Sequence, residues 1–284
     1  MPDVGARVGS LLGDATRRLR QAGVSEPRRE AVRLWAGVTS GNAVDVALGR
    51  EQRVDAQTEA LFERAVARRS VGEPLAHVTG VIGFRKLELV SDARALIPRP
   101  ETEGLIDLLL QRVRTGRIVD VGTGSGCIAL SLVLEGSFAE VVALDTSEDA
   151  LALAKLNRES TNLPARLVQG DMCQPLREHA FDALISNPPY LTEADYRDLD
   201  PSVREWEPEL ALVGGLDGMD AIRRLLDEGR DVLSPGGWLA LEVDCTRASA
   251  TAVQASALGW QNVSVHVDLF GRERYLLARR SEAR

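Results

Sequence analysis

A chain of 284 residues with 44% apolar side chains has room for more than one average domain and for a sizeable core. Its 42 acidic against 34 basic residues leave a net charge of −8, which disfavours an extended phosphate-backbone partner and fits equally well a chain kept soluble by its charge. Three cysteines (Cys127, Cys173, Cys245) and three histidines (His77, His179, His266) lie far apart in no metal-ligand spacing, so free thiols in a reducing compartment and no metal are expected. With neither an apolar signal core at the N-terminus nor a membrane-length apolar run, a soluble cytoplasmic protein without membrane contact is expected.

Residues 1–75 read as helices only. Leu11, Leu12, Ala15 and Leu19 share one helical face. Ala31, Leu34, Trp35 and Val38 share a second, after Ser25 as N-cap and Pro27 in the first turn. Leu61, Phe62, Ala65 and Val66 make a third stripe after Asp55, and Gly23, Gly41 and Gly49 punctuate the set. A small helical bundle follows. Its Arg17-Arg18, Arg28-Arg29 and Arg68-Arg69 pairs read as solvated faces, since acids are interspersed.

At Glu73-Pro74 the pattern changes. Residues 78–91 alternate and carry β-branched side chains, with Arg85-Lys86 at a turn, which predicts a β-hairpin linker over 76–95. In Leu96-Ile97-Pro98-Arg99-Pro100-Glu101-Thr102-Glu103 two prolines enforce an extended crossing, and Thr102 opens a helix whose apolar face holds Leu105, Ile106, Leu109 and Leu110. This crossing is either a plain connection or a floor or lid for a site. Residues 96–284 then alternate strand and helix. Strands are predicted at 117–121, 141–145, 165–169, 181–186, 237–243, 262–268 and 273–279, and helices at 125–135, 147–159 and 219–232. That pattern is α/β: a doubly wound, mostly parallel seven-stranded sheet covered on both faces, its last two strands close enough for a hairpin with one antiparallel strand at the edge.

Four strand ends carry chemistry. Asp120-Val121-Gly122-Thr123-Gly124-Ser125-Gly126 follows the first strand. Its glycines let backbone approach a ligand, but Cys127 stands where a dinucleotide fingerprint needs glycine, and no phosphate-loop lysine is present. Asp120 just before the loop suits a cationic or amine-bearing ligand. Asp145 ends the second strand, where an acid accepts ribose hydroxyls or, as an alternative, caps the next helix. Asp171 ends the third and can meet an adenine amino group, with Met172 packing on the ring. Phe181 to Ser186 is a buried strand that breaks into Asn187-Pro188-Pro189-Tyr190. The two prolines lack backbone donors and hold Asn187 extended, so the strand ends in a stiff corner. The corner offers an amide, free carbonyls and an aromatic ring, with no acid, base or nucleophile. That set suits a planar amide or amidine nitrogen, and an ordinary strand stop is the competing reading.

Asp120 to Gly126 resembles the cofactor loop of class I S-adenosylmethionine-dependent methyltransferases, and Asn-Pro-Pro-Tyr resembles members that methylate amide or exocyclic amino nitrogens. Glu73 to Gly80, Phe84, Leu96 to Glu103, Glu207-Pro208, and Asp268 with Gly271-Arg272-Glu273-Arg274 make nearly the whole chain similar to the PrmC/HemK family; Glu205-Trp206 and Glu242-Val243-Asp244 depart from its pattern. The resemblance implies an enzyme with the class I methyltransferase fold. It would transfer a methyl group from S-adenosyl-L-methionine to the glutamine amide of the Gly-Gly-Gln motif in peptide chain release factors, a translation-termination role. Residues 1–75 would hold the release factor, and the protein would act as a monomer without direct nucleic-acid contact. Cofactor residues would be Gly122, Thr123, Gly124, Ser125, Gly126, Asp145, Asp171, Met172 and Asn187. Asn187 and the Pro188 carbonyl would accept the two amide N–H bonds, Pro189 would stiffen the corner and Tyr190 would stack on the amide. Rival readings are a nucleic-acid exocyclic-amine methyltransferase, which presents the same two N–H groups beside a stackable plane, and a non-catalytic cofactor-binding scaffold.

Overall fold

The computed structural model describes residues 6–41, 43–176 and 181–282; His179 lies outside them. The chain forms two compact units, Met1–Val81 with Asp200–Trp206, and Ile82–Leu199 with Glu207–Arg284.

The first unit contains α1 (Val8–Gln21), α2 (Pro27–Thr39), α3 (Ala43–Leu48), α4 (Ala56–Ser70) and α5 (Leu75–Thr79). Leu11, Leu12, Ala15, Leu19, Ala31, Leu34, Phe62 and Val66 meet in one core, where Trp35 sets its ring edge-on to Phe62 at 5.0 Å. All three predicted stripes form, with two corrections. Leu61 is exposed, because it sits one position off the Phe62–Ala65–Val66 face. Glu26, not Ser25, occupies the N-cap of α2, since Pro27 takes the first helical position. Nor is Arg69 solvated: on α4 it pairs with Glu30 on α2, both side chains about 85% shielded (15% and 14% exposed).

The second unit opens with a hairpin of β1 (Val81–Phe84) and β2 (Leu87–Val90) around Arg85, whose φ is +51°. It is shorter than expected because Val78 and Thr79 finish α5, which stops at left-handed Gly80. Then follow α6 (Pro100–Leu110), β3 (Arg117–Val121), α7 (Cys127–Glu135), β4 (Glu140–Asp145), α8 (Glu148–Thr161), β5 (Arg166–Gln169) and β6 (Phe181–Ser186). Next come α9 (Glu193–Arg197), α10 (Pro201–Arg204, part of the first unit), α11 (Asp220–Val232), β7 (Leu233–Glu242), α12 (Ala248–Ala257), β8 (Gln261–Val267) and β9 (Glu273–Arg279). The helix α6 begins at Pro100 with Arg99 as N-cap, so Thr102 lies inside it and caps nothing.

The seven-stranded sheet runs β5-β4-β3-β6-β7-β9-β8. Side chains alternate along each strand, as the pleat requires. Val119, Val121, Val142, Leu144, Leu184, Leu239 and Leu241 join Ile222, Leu225 and Leu226 of α11 on one face. Ile118, Val141, Ala143, Ala183, Ile185 and Ala240 join Leu105, Ile106 and Leu109 of α6 and Ile128 of α7 on the other. Strands β3 to β7 are parallel and β9 is antiparallel to both its neighbours. The expectation of an antiparallel edge is therefore corrected. β9 is interior and β8 is the edge, because residues 273–279 are buried through their middle while β8 stays half-exposed. The chain winds outward from β3 to β5 and then crosses back to β6. That reversal lies between β3 and β6, the switch point where such sheets open a crevice.

Candidate active site

The turn after β3 has φ values of +73°, +55° and +84° at Gly122, Gly124 and Gly126, a left-handed series that only glycine follows without strain. Asp120 holds it from beneath: one carboxylate oxygen accepts from the Thr123 hydroxyl at 2.6 Å and from the Ala129 N–H at 3.1 Å. Asp120 is fully buried and is not in the wall of the cavity that the glycine turn borders, so the expectation that it faces a cationic ligand there is corrected. It lies on the α7 side of the sheet. Burial pushes its carboxyl up to about 7, against the pull of the Thr123 and Ala129 bonds.

At the end of β4, Asp145 accepts from the Gly124 N–H at 2.8 Å through one oxygen and from the Ser147 N–H at 2.9 Å through the other. The capping alternative fails, because Ser147 itself caps α8 by accepting from the Ala150 N–H. Burial pushes the Asp145 carboxyl up, and the Ser147 and Gly124 amides pull it back. Asp171 is exposed and pairs with Arg224 of α11 at 2.8 Å; Met172 beside it is left-handed, φ +50°.

These groups border one cavity of about 390 Å³, within the range of small-ligand pockets. Its wall includes Gly122 to Ser125, Asp145, Asp171, Met172, Asn187 and Pro189, but not Gly126, Pro188 or Tyr190. Leu96, Pro98 and Arg99 of the crossing form part of the same wall, so it is more than a plain connection. Glu207, itself buried, holds that crossing by accepting from the Ile97 N–H and pairing with Arg99. A nucleoside-bearing sulfonium fits this set. A Cβ built on Gly122 would meet nothing, so the turn leaves open space, and each Asp145 oxygen keeps acceptor capacity beyond its one backbone bond.

Beside Asn187 and Tyr190 stands a network that the sequence reading missed, and its member Thr102 is itself in the cavity wall. The Asn187 Nδ2 donates to Thr102 Oγ1 at 3.2 Å, the Thr102 hydroxyl donates to Glu242 at 2.7 Å, and the Tyr190 hydroxyl donates to the other Glu242 oxygen at 3.2 Å. Thr102 and Glu242 are 2% and 1% exposed. Glu242 continues the β7 face that packs on α6, which brings it to Thr102. Burial pushes the Glu242 carboxyl up; burial and the adjacent Glu242 push the Tyr190 phenol up as well. The loop after α10 adds Gly214, packed against the Pro189 carbonyl. No local pattern marks Thr102, Glu242 or Gly214, because each is defined by a partner far away in sequence.

Comparison with known proteins shows the family. The Methyltransferase small domain family matches residues 101–199 and the PrmC N-terminal domain family matches residues 10–80. The release factor glutamine methyltransferase of Deinococcus radiodurans is 42% identical over 95% of this chain and 98% of its own length. The enzyme of the same name from Moorella thermoacetica is 40% identical over 95% and 98%. A crystal structure of a methyltransferase from Pyrococcus furiosus, 21% identical with a TM-score of 0.51 over 79% of this chain and 98% of that one, shares the fold. A glycine turn, a strand-end acid and an Asn-Pro-Pro-Tyr bend meeting at one crevice, together with likeness over the whole length of these relatives, place the chain in the release factor glutamine methyltransferase family.

Proposed function

We propose that this chain transfers a methyl group from S-adenosyl-L-methionine to the side-chain amide nitrogen of the glutamine in the Gly-Gly-Gln motif of peptide chain release factors. The observation that carries this reading is that Asn187 and Pro189 border the same cavity as the glycine turn and Asp145. The backbone of Gly122 to Gly126 with Asp145, Asp171 and Met172 holds the cofactor, Asp145 taking the ribose hydroxyls. When bound, the cofactor would supply an electrophilic sulfonium methyl group with a neutral thioether as its leaving group, and the amide nitrogen would give up one proton in exchange for the methyl.

An amide nitrogen is a weak nucleophile because its lone pair is delocalised. The chain's own task is therefore to polarise and aim it. The Asn187 side-chain oxygen and the Pro188 carbonyl accept the two amide N–H bonds, drawing charge onto nitrogen. Pro188 and Pro189 fix the backbone that carries both acceptors, and the Tyr190 ring, anchored by its hydroxyl on Glu242, lies against the amide plane. This is orientation plus preorganised electrostatics. The helical first unit holds the release factor.

Incubating the protein with purified release factor and methyl-labelled cofactor, with tRNA, rRNA and DNA present as competitors, tests the reading. The label is expected on the Gly-Gly-Gln glutamine by mass spectrometry. Asn187→Ala should slow turnover by about 100-fold, the cost of one preorganised polar contact, with cofactor affinity kept. Label on nucleic acid, or near-normal turnover in Asn187→Ala, would overturn it.

A further inference from the structure

We infer that Glu242, acting through Thr102, is a positioning residue: it fixes which end of the Asn187 amide is presented to the substrate. This rests on the methyl-transfer reading above.

An asparagine side chain is nearly symmetric in shape and opposite in polarity at its two ends. A half-turn about Cβ–Cγ exchanges an acceptor for a pair of donors. A substrate amide offers its N–H bonds, so a turned Asn187 would set donor against donor and oppose catalysis. The bend alone does not prevent this turn, because Pro188 and Pro189 restrain backbone and not the Asn187 side chain. Something must make the two ends unequal.

The buried chain of hydrogen bonds does so. An ionised carboxylate only accepts. Glu242 therefore draws the single hydroxyl proton of Thr102 to one oxygen and that of Tyr190 to the other. With its proton committed, Thr102 Oγ1 can only accept on its remaining side, and the Asn187 Nδ2 meets that demand at 3.2 Å. The amide nitrogen being engaged by Thr102, which borders the same cavity as Asn187, the oxygen is the end left free to accept from the substrate amide. Polarity thus runs one way, from Asn187 to Thr102 to Glu242, and the low dielectric around these groups strengthens each link. Burial pushes the Glu242 carboxyl up, and the hydroxyls it accepts from Thr102 and Tyr190, with Arg274, oppose that push in favour of the charged form.

The test uses the full-length enzyme with release factor as substrate. Glu242→Gln keeps the shape but places a donor where the carboxylate only accepted, so Thr102 can turn its proton to Asn187. Thr102→Val keeps the shape and removes the hydroxyl. Both should lower kcat about 100-fold while KM for release factor changes little, as expected for lost transition-state alignment. Cofactor affinity by titration calorimetry should be unchanged, which also shows that the variants fold. Thr102→Ser should recover most of the activity lost in Thr102→Val. In nitrogen–proton NMR, the Asn187 side-chain NH2 pair, identified by its absence in Asn187→Ala, should be slow to exchange in the parent and in Thr102→Ser and fast in Thr102→Val. If Glu242→Gln and Thr102→Val both turn over at the parent rate while Asn187→Ala is crippled, the positioning role is overturned and the methyl-transfer reading stands. If Asn187→Ala is itself unimpaired, both fall.

Discussion

Replacing Asp120 with Asn should change how stability depends on pH, by an amount the structure sets. In the folded chain burial raises the Asp120 carboxyl from an ordinary 3.8 to about 7. Between those values the folded chain holds a proton that the unfolded chain has released, so folding takes up a proton. Stability is then fully present below pH 3.8, falls as pH rises toward 7 and is flat above. At about 1.4 kcal/mol for each pH unit, the ionised carboxylate costs roughly 4 kcal/mol at neutral pH. Asp120→Asn keeps an acceptor for Thr123 and Ala129 and cannot ionise. Its NH2 group replaces an oxygen that has no hydrogen-bond partner, a loss of about 1–3 kcal/mol that does not depend on pH. The informative quantity is therefore the stability of variant minus parent across pH, in which that constant cancels. Urea unfolding at intervals from about pH 4 to 8 should show this difference rising by about 4 kcal/mol and levelling near 7. Two parallel curves would refute the argument that Asp120 is a desolvated carboxylate, and with it the account of how the glycine turn is held.

Gly214→Ala would place a Cβ 2.4 Å from the Pro189 carbonyl oxygen, so the bend must move; turnover should fall about ten- to hundredfold, with cofactor affinity kept in calorimetry. Arg69→Ala strands a shielded Glu30, and urea unfolding should show a loss of about 3 kcal/mol, largely recovered when Glu30→Leu is added to Arg69→Met. Asp145→Asn turns a donor toward the Gly124 or Ser147 N–H, and the cofactor dissociation constant should rise by about tenfold or more; an unchanged value would remove Asp145 from the cofactor site.

Much of the fold was legible because period and punctuation are local. The Leu11–Leu19 and Phe62–Val66 stripes, the strand-helix alternation from Arg117 onward and the diproline stop after Ser186 are each written within a dozen residues. The place of β9 was not, since a strand is interior or edge only through neighbours elsewhere in the chain. Asp145 and Asp120 show the same divide within the candidate site. Both are acids at strand ends, and each could serve a ligand, a cap or the backbone. The difference is made by the pleat, which turns Asp120 under α7 and leaves Asp145 at the open end. Thr102 was misread because proline at the start of α6 shifts the cap to Arg99, freeing the hydroxyl for Glu242, 140 positions away.

The insertion of β9 between β7 and β8 bears on how the molecule can be shortened or fused. Among the described residues β8 pairs with no strand but β9, so it belongs to the sheet only through β9. Removing residues 273–279 would strip the sheet of an inner plank rather than its rim and bare two ladders of unpaired amides and carbonyls, the kind of surface that seeds association between molecules. Tags and partner domains attached after Arg279 therefore hang from the strand next to the rim of the sheet, three strands from the glycine turn.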